Sequence, residues 1–499
     1  MDAGIDDRQA GERNSPAKVV SGGPLPPESD ALYAARKQIY PQSVNGTFRR
    51  IKWAILVVTL GIYYLLPFVR WDRGPNAPNQ AVLVDLEHQR FYFFFIEIWP
   101  HEVYYLTGLM ILAALALFLT NALAGRVWCG YLCPQTVWTD LYLMIERLAE
   151  GDRRDRMRKD AMPLNVQRVA EKTIKHSLWL AIAWWTGGAW VLYFNDAPTL
   201  VRQLATFSAP AIAYIWIGIL TATTYVLAGF MREQVCLYMC PWPRIQAALT
   251  DENALNVTYR YDRGEQRMSV KKAKAVRAIG GKAGDCVDCG QCVAVCPTGV
   301  DIRRGLDMGC IQCGLCIDAC DNVMRKIGRP TRLIAYDTDV NIKRRLAGQE
   351  NIFKPVRVRT VLYAVLILGI GALMAGKLVT RATSGIAVIH DRNPLFVTLS
   401  NGEIRNGYTV RFSNMAATAR RFVLKVEGLP GSRFEVIGED KNQSGAEDLD
   451  IGPDQTRETR LLVFSGTAKP DGNSTPLTFV LTDETGKTIA TAKDFFRAP

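Results

Sequence analysis

Cysteine is too scarce in this sequence for a disulfide-stabilised scaffold. Only 12 of the 499 residues are cysteine, whereas such scaffolds contain roughly 8–10%. Residues 382–499 have none, so we expect no disulfide in that segment. The cysteines fall at 129, 133, 236 and 240 and at eight positions between 286 and 320. Clustering of this kind is typical of metal binding.

A signal peptide and a basic–aromatic nucleic-acid motif are also missing. No apolar run lies close to Met1, as a secretory signal requires, and the polar residues 1–50 predict a disordered cytoplasmic tail. The net charge of +12 fits contact with either nucleic acid or a membrane surface. Because the basic residues flank apolar runs and no aromatic binding motif accompanies them, we expect membrane lipid and no nucleic acid as a partner.

Five apolar runs are long enough to cross a bilayer, which takes about 20 helical residues. Burial of all five inside a soluble protein is the alternative, but so many long runs are hard to cover without lipid. We therefore predict an α-helical transmembrane bundle of about five spans, with four spans in a membrane domain over 51–250 and a fifth helix at 358–380. The runs lie at about 53–69, 103–124, 175–195, 209–231 and 360–379.

The distribution of Lys and Arg predicts the orientation of these spans. Basic residues are frequent between the second and third runs and over 232–359, whereas only Arg202 lies between the third and fourth. Cytoplasmic loops carry this excess. We expect a protein of the bacterial inner membrane, with its N-terminus and residues 251–357 in the cytoplasm and residues 382–499 in the periplasm.

The residue pattern over 382–499 is typical of β-strands. Short apolar or alternating runs are separated by turn signals such as Asn401-Gly402 and Asn406-Gly407. About seven short strands in roughly 110 residues fit a C-terminal all-β immunoglobulin-like sandwich. The predicted strands cover 395–399, 408–412, 422–426, 433–437, 459–464, 477–481 and 488–492.

Two Cys-x2-Cys-x2-Cys-x3-Cys runs are the strongest signal in the chain. This is the spacing of bacterial ferredoxins with two [4Fe–4S] clusters, in which the fourth cysteine of each run binds the other cluster. Zinc sites usually pair Cys-x2-Cys motifs across longer spacers, so we prefer iron. The predicted ligands in the ferredoxin-like domain over 251–357 are Cys286, Cys289, Cys292 and Cys320 for cluster 1, and Cys310, Cys313, Cys316 and Cys296 for cluster 2.

The other four cysteines form two Cys-x3-Cys-Pro motifs, Cys129/Cys133 and Cys236/Cys240. Each motif follows a span that runs towards the cytoplasm, and its proline favours the start of a new helix. We treat the four thiols as the candidate catalytic and metal-binding residues. Four interpretations stay open: a copper site, since thiolates select Cu(I), a third iron–sulfur cluster, a redox-active dithiol relay, or structural cysteines. His176, close to the third run, is interpreted as a packing residue.

Longer runs around these cysteines resemble a known family. From about residue 30 to the C-terminus, the sequence is similar to the cytochrome c oxidase accessory proteins of the CcoG/FixG/RdxA family, which are membrane-bound polyferredoxins. The resembling runs are GRVWCGY at 125–131, CPQTVW at 133–138, MREQVC at 231–236, YMCP at 238–241, GDCVDC at 284–289, CPTGVDIR at 296–303 and CIDACD at 316–321.

The resemblance implies a cupric reductase that converts Cu(II) to Cu(I) for assembly of cbb-type cytochrome c oxidases. The implied partners are a cytoplasmic electron donor or quinol, a copper transporter or chaperone, and oxidase assembly components. Clusters at the low end of the roughly −700 to +450 mV range reduce Cu(II) readily. The same motifs also resemble NapH and the C-terminal half of NosR, which implies a quinol-linked electron relay. A non-enzymatic assembly scaffold is the third possibility.

Overall fold

The computed structural model describes most of the chain, in seven ranges. The tail predicted over residues 1–50 lies outside the described residues as far as residue 37. Its predicted end at residue 50 is wrong, because a helix begins at Thr47. Backbone and side-chain hydrogen bonds from Gln42 and Ser43 tie the segment before this helix to later parts of the chain. The described ranges are 38–74, 77–163, 165–416, 418–437, 447–453, 455–466 and 472–499.

Four described helices are long and apolar enough to cross a membrane. They coincide with four of the five predicted spans. The remaining span, predicted at 175–195, lies in the helix Val166–Val191, whose charged first half and four tryptophans lower its mean hydropathy. The count of five spans therefore stays a prediction. The four helices are Thr47–Phe68, Tyr104–Ala124, Ala211–Met231 and Val358–Val379.

The helix Val166–Val191 nevertheless belongs to the helical bundle, where it packs against Pro134–Glu150 and Ala211–Thr224. Its Trp179 is 1% exposed and stacks on Tyr142 with ring centroids 5.2 Å apart. The Tyr142 hydroxyl donates to the Trp179 carbonyl oxygen at 2.9 Å, and the Trp179 indole N–H donates to the Tyr142 carbonyl oxygen at 3.1 Å. The pair thus satisfies its buried polar groups internally.

Buried ion pairs join the helices at the end of the bundle that carries the cysteine motifs. Asp140 lies 3.2 Å from the Arg49 guanidinium and 3.0 Å from the Lys52 ammonium, and all three side chains are less than a tenth exposed. Removing one partner from such a group leaves an uncompensated buried charge, which is strongly destabilising. Asp140 therefore fixes the first helix against Pro134–Glu150.

Shorter elements connect the long helices and form the cysteine-bearing segments. An antiparallel pair of strands, Asn256–Tyr259 and Ile334–Asp337, joins the two ends of the ferredoxin-like segment. A small three-stranded sheet consists of Val82–Asp85, Arg90–Phe93 and Ile96–Ile98. The shorter helices are Val127–Tyr131, Pro134–Glu150, Arg153–Ala161, Ala197–Ala205, Trp242–Leu249, Tyr261–Gly264, Val270–Ala278, Gln291–Ala294, Leu315–Lys326 and Asp339–Leu346, and two π-helical segments cover Tyr225–Met231 and Val235–Met239.

The C-terminal segment forms two facing antiparallel sheets, which confirms the predicted sandwich. One sheet has the order Arg433–Val436, Gln455–Phe464, Ile404–Asn414 and Ser384–His390, with Val397–Thr398 also paired to Ile404–Asn414. The other has the order Glu447–Ile451, Arg420–Glu427, Ser474–Thr482 and Thr488–Arg497. Each predicted strand overlaps one of these, and Ser384–His390 and Glu447–Ile451 are additional.

The core of this sandwich predicts a sharp contrast between two neighbouring phenylalanines. Phe496 is fully buried, whereas Phe495 is 50% exposed. Phe496→Ala should lower the free energy of unfolding of the C-terminal domain by about 3–5 kcal/mol, because it leaves a cavity. Phe495→Ala, the matched control, should cost less than about 1 kcal/mol. Urea unfolding of the full chain followed by pulse proteolysis measures both, and equal effects would contradict this packing.

Candidate redox centre

The two ferredoxin loops share one backbone conformation. In the first loop Asp288 and Gly290 have φ angles of 54° and 66°, and in the second Gln312 and Gly314 have 56° and 74°. Positive φ is uncommon outside glycine, so its recurrence on both sides of the second cysteine indicates a repeated loop. Gly290 and Gly314 each cap the start of a helix, Gln291–Ala294 and Leu315–Lys326. The third cysteine of each run therefore lies in a first helical turn.

The structure brings together the four cysteines assigned to each cluster. Cys296, Cys310, Cys313 and Cys316 line one cavity, to which Cys292 also contributes. Cys320 belongs to the same buried cluster as Cys286 and Cys292. It is also close enough to Cys286, Cys289 and Cys292 for their charges to interact. This exchange of the fourth cysteine arises because the helix Leu315–Lys326 begins beside one loop and reaches the other. The ligand assignment itself stays a prediction.

Each donor set consists of four thiols, the ligands that [4Fe–4S] clusters take. Among the residues that the structure describes, no group of three or more His, Cys, Asp or Glu side chains is arranged to hold one metal ion. Each thiolate of a [4Fe–4S] cluster binds a different iron, so its ligands lie farther apart than those of zinc. Burial is the main cause that raises the pKa of Cys292 and Cys320 to about 12. Such thiolates need a positive partner, and iron supplies one.

The four remaining thiols also converge. Cys129 is close enough to Cys133, Cys236 and Cys240 for their charges to interact. Burial, followed by the neighbouring thiols, raises the pKa of Cys129 and of Cys236 to about 12. As their prolines predicted, Cys133 caps the helix Pro134–Glu150 and Cys240 lies just before Trp242–Leu249. We call these four cysteines the thiol quartet.

The thiol quartet lies against the loop assigned to cluster 2. A Cβ atom built on Gly130 would lie 2.7 Å from the Ile311 carbonyl oxygen and 3.0 Å from the Cys313 Cα. Only glycine allows this approach without displacement of the loop. The Tyr131 hydroxyl donates to the Cys313 carbonyl oxygen at 3.0 Å, and Cys129 packs against the apolar cluster that contains Cys313. The membrane motif and the ferredoxin loop are therefore in direct contact.

Arg126 connects three parts of the centre. Its backbone N–H donates to the Gln312 side chain at 2.8 Å, and its guanidinium donates to the carbonyl oxygens of Met308 and Pro243. Met308 and Gln312 belong to the cluster 2 loop, whereas Pro243 follows the second membrane motif. One buried arginine thus holds the two motifs and the loop together.

Sequence reasoning missed several residues of this centre. The Cys129 thiol lies 3.5 Å from the side-chain oxygen of Gln246, to which it donates, and Gln246 is 1% exposed. The amide of Gln135 donates to the carbonyl oxygens of Leu227 and Arg232 at 2.9 and 3.2 Å. Their signals in the sequence were a position shortly after a Cys-x3-Cys-Pro motif and, for Gln135, a place in the CPQTVW run.

Three family models match this chain. The model described as a 4Fe-4S dicluster domain matches residues 231–339, which include the eight ferredoxin cysteines with Cys236 and Cys240. A 4Fe-4S binding domain matches residues 106–148, which include Cys129 and Cys133. The model described as an IG-like fold at the C-terminal of FixG, putative oxidoreductase, matches residues 374–499.

The chain is similar over most of its length to two curated proteins. It is 48% identical over 460 residues to the nitrogen fixation protein FixG of Rhizobium meliloti strain 1021, covering 87% of each chain. It is 50% identical over 458 residues to protein RdxA of Cereibacter sphaeroides, covering 91% of this chain and 94% of the relative. A solved structure of a FixG-related protein from Vibrio parahaemolyticus matches with 23% identity and a TM-score of 0.20, covering 23% of this chain and 95% of that one.

The contact at Gly130 gives a testable prediction. Gly130→Ala should push the cluster 2 loop away from the membrane motif, because the new methyl group meets backbone atoms that cannot rotate aside. Amide hydrogen exchange over residues 310–315 should become about tenfold faster. The control is Gly218→Ala, since no heavy atom lies within 4 Å of a Cβ built there. Unchanged exchange in Gly130→Ala would contradict the contact.

Proposed function

Because this chain belongs to the FixG/RdxA family, we propose that it is a cupric reductase, which converts Cu(II) to Cu(I) for assembly of a cbb-type cytochrome c oxidase. This family membership, together with the two matched 4Fe-4S domains, indicates a membrane-bound iron–sulfur electron-transfer protein. The main support for the copper step is the contact between the thiol quartet and the ferredoxin loop at Gly130. A site made of soft ligands there lies directly beside a source of single electrons.

The eight ferredoxin cysteines would hold the two [4Fe–4S] clusters, which supply single electrons when bound. Reduction of Cu(II) to Cu(I) consumes one electron, so the stoichiometry matches. The chain positions the acceptor through Arg126, Gly130 and Tyr131, which hold the membrane motif against the loop. Their role is to fix the separation between donor and substrate.

The thiol quartet is the proposed copper-binding site. Thiolates are soft ligands that prefer Cu(I) to Cu(II). Burial adds to this preference, because a desolvated site penalises the doubly charged ion more than the singly charged one. The pairs Cys129/Cys133 and Cys236/Cys240 would hold the copper, and the charge of Cys129 interacts with those of the other three thiols.

A third iron–sulfur cluster is the other occupant that we propose for the thiol quartet. The support is the 4Fe-4S binding domain matched over residues 106–148, which contains Cys129 and Cys133. Iron analysis of protein purified without oxygen separates the two proposals. More than eight irons per chain would favour a third cluster, whereas eight irons with bound copper would favour the copper site.

We further propose the inner-membrane orientation with the ferredoxin-like segment in the cytoplasm and the β-sandwich in the periplasm. The support is the distribution of basic residues, which are frequent over 232–359. Reporter fusions at the C-terminus test it. A C-terminal reporter that is active only in the cytoplasm would contradict it. We also propose the copper transporter or chaperone and the oxidase assembly components as partners, on the resemblance to the CcoG/FixG/RdxA family.

A quinol-linked relay without copper specificity is the competing function, and a non-enzymatic assembly scaffold is the third. Reduced protein is exposed separately to Cu(II) and to a soluble quinone analogue, and the return of the iron–sulfur absorption that reduction bleached shows which oxidant takes the electrons. Reoxidation by Cu(II) favours the cupric reductase, and reoxidation by the quinone analogue alone favours the relay. Loss of oxidase assembly after deletion of residues 382–499, with Cu(II) reduction retained, would favour the scaffold.

The thiol quartet supplies the decisive test of copper reduction. Cys129→Ser with Cys236→Ser should lower Cu(I) formation at least about tenfold, because oxygen is a poor ligand for Cu(I). Formation of Cu(I) is followed with a Cu(I)-specific chelator, and iron content shows whether the ferredoxin clusters remain.

The matched control for this test is Leu132→Ala with Met239→Ala. These side chains lie in the same two motifs but are 40% and 56% exposed, so the control should keep its activity. Full reductase activity in the double serine variant, with iron content unchanged, would exclude the thiol quartet as the copper site.

A further inference from the structure

A cavity of about 260 Å³ lies between the helix Val166–Val191 and the π-helical segment Tyr225–Met231. Its walls combine three aromatic side chains with five polar or charged ones, which are His176, Trp179 and Phe230 with Gln38, Glu146, Lys172, Lys175 and Arg232. Aromatic side chains beside placed polar and charged groups are also found in small-molecule sites. Neither the ferredoxin clusters nor the proposed copper site uses this cavity.

His176 is held in a defined orientation. Its Nδ1 lies 2.9 Å from the Tyr225 hydroxyl. Its ring stacks on Phe230 with centroids 5.8 Å apart and an interplanar angle of 13°, and it meets Trp179 edge-on at 5.2 Å. Because Nδ1 has its partner, Nε2 is the ring nitrogen that remains for a ligand.

The backbone of the second wall is unusual. Tyr225 and Phe230 both lie in the π-helical segment, a conformation that is rare and occurs often at functional sites. A Cβ on Gly229 would lie 3.1 Å from the Trp179 ring, so glycine allows this segment to approach the helix Val166–Val191. The π-helical segment thus brings two aromatic rings to one histidine.

The charges around the cavity compensate one another. Lys175 lies 2.7 Å from Glu150, Arg232 lies 2.9 Å from Glu146, and Lys172 lies 3.3 Å from Asp160. An anionic head group would therefore find each of these cations already paired. This balance favours a neutral ligand over a phosphate.

The surroundings of the cavity are amphipathic. Ile174 and Leu178, on the same helix as His176, are 54% and 44% exposed, and Phe230 is 44% exposed. Clustered exposed apolar side chains mark surfaces that contact a membrane or another protein. A ligand with a polar planar ring and an apolar tail would satisfy both the polar cavity and this surface.

The cavity is connected to the thiol quartet along the chain. Arg232 lines the cavity and precedes Cys236 by four positions, and Gln135, two positions after Cys133, donates to the Arg232 carbonyl oxygen at 3.2 Å. A redox-active ligand in the cavity would therefore lie close to the proposed electron-transfer centre.

We propose that this cavity binds the head group of a lipid-soluble quinone or quinol. His176 forms the hydrogen bond to a ring oxygen, and the 44% exposed Phe230 supplies the aromatic contact. A quinone is neutral, planar and lipid-soluble, which matches the paired charges, the aromatic walls and the exposed apolar neighbours. The site rests on the electron-transfer function of the family and does not depend on copper reduction.

Photolabelling tests the site. The full chain in lipid nanodiscs is illuminated with an azido-ubiquinone, and labelled peptides are mapped by mass spectrometry. Label should concentrate in residues 166–191 and 225–232 and be displaced by unlabelled ubiquinone. His176→Phe, which keeps an aromatic ring but loses the nitrogen, should reduce the labelling about tenfold.

The control is Tyr214→Phe, in which a 38% exposed tyrosine of the same long helix as Tyr225 loses its hydroxyl. It should label like the wild type, whereas Tyr225→Phe should lose about threefold through the freed His176 ring. Equal labelling of His176→Phe and wild type, or displacement by phosphatidylglycerol but not by ubiquinone, would overturn the proposal. Cu(II) reduction by chemically reduced wild-type protein tests the copper step separately.

Discussion

The redox centre depends on one close backbone approach. At Gly130 the membrane motif meets the peptide backbone of the cluster 2 loop at a distance that no side chain would permit. Arg126 and Tyr131, on either side of Gly130, add hydrogen bonds to the same loop. Because these contacts are made by neighbouring residues of one short helix, a single local fold sets the separation between the two groups of cysteines.

Buried charge holds the surrounding helices in the positions that this contact requires. Asp140 pairs with Arg49 and Lys52, and Glu146 pairs with Arg156 and Arg232. Each of these side chains is less than a tenth exposed. The basic residues near the membrane helices are therefore not only a topology signal, since some of them are counter-ions of buried carboxylates.

The sequence allowed accurate prediction where the physical signal is local. The spacing of the ferredoxin cysteines and the alternation of apolar residues over 422–426 both depend on neighbouring residues. The structure brings those cysteines close together and has a strand at Arg420–Glu427. The strand Glu447–Ile451 was missed because its acidic residues hide the apolar Leu449 and Ile451. The span at 175–195 stays a prediction because tryptophan counts little towards mean hydropathy. Contacts such as Cys129 with Gln246 depend on tertiary packing between distant segments, which no single sequence reveals.

The strand pair Asn256–Tyr259 and Ile334–Asp337 has a wider consequence for how such a chain is assembled. It brings the entrance and exit of the ferredoxin-like segment side by side, so the intervening residues form a closed excursion from the bundle. Genetic insertions or deletions within that excursion need not alter the spacing of the membrane helices. Such length changes are compatible with the redox centre where the cluster 2 loop keeps its contact with Gly130.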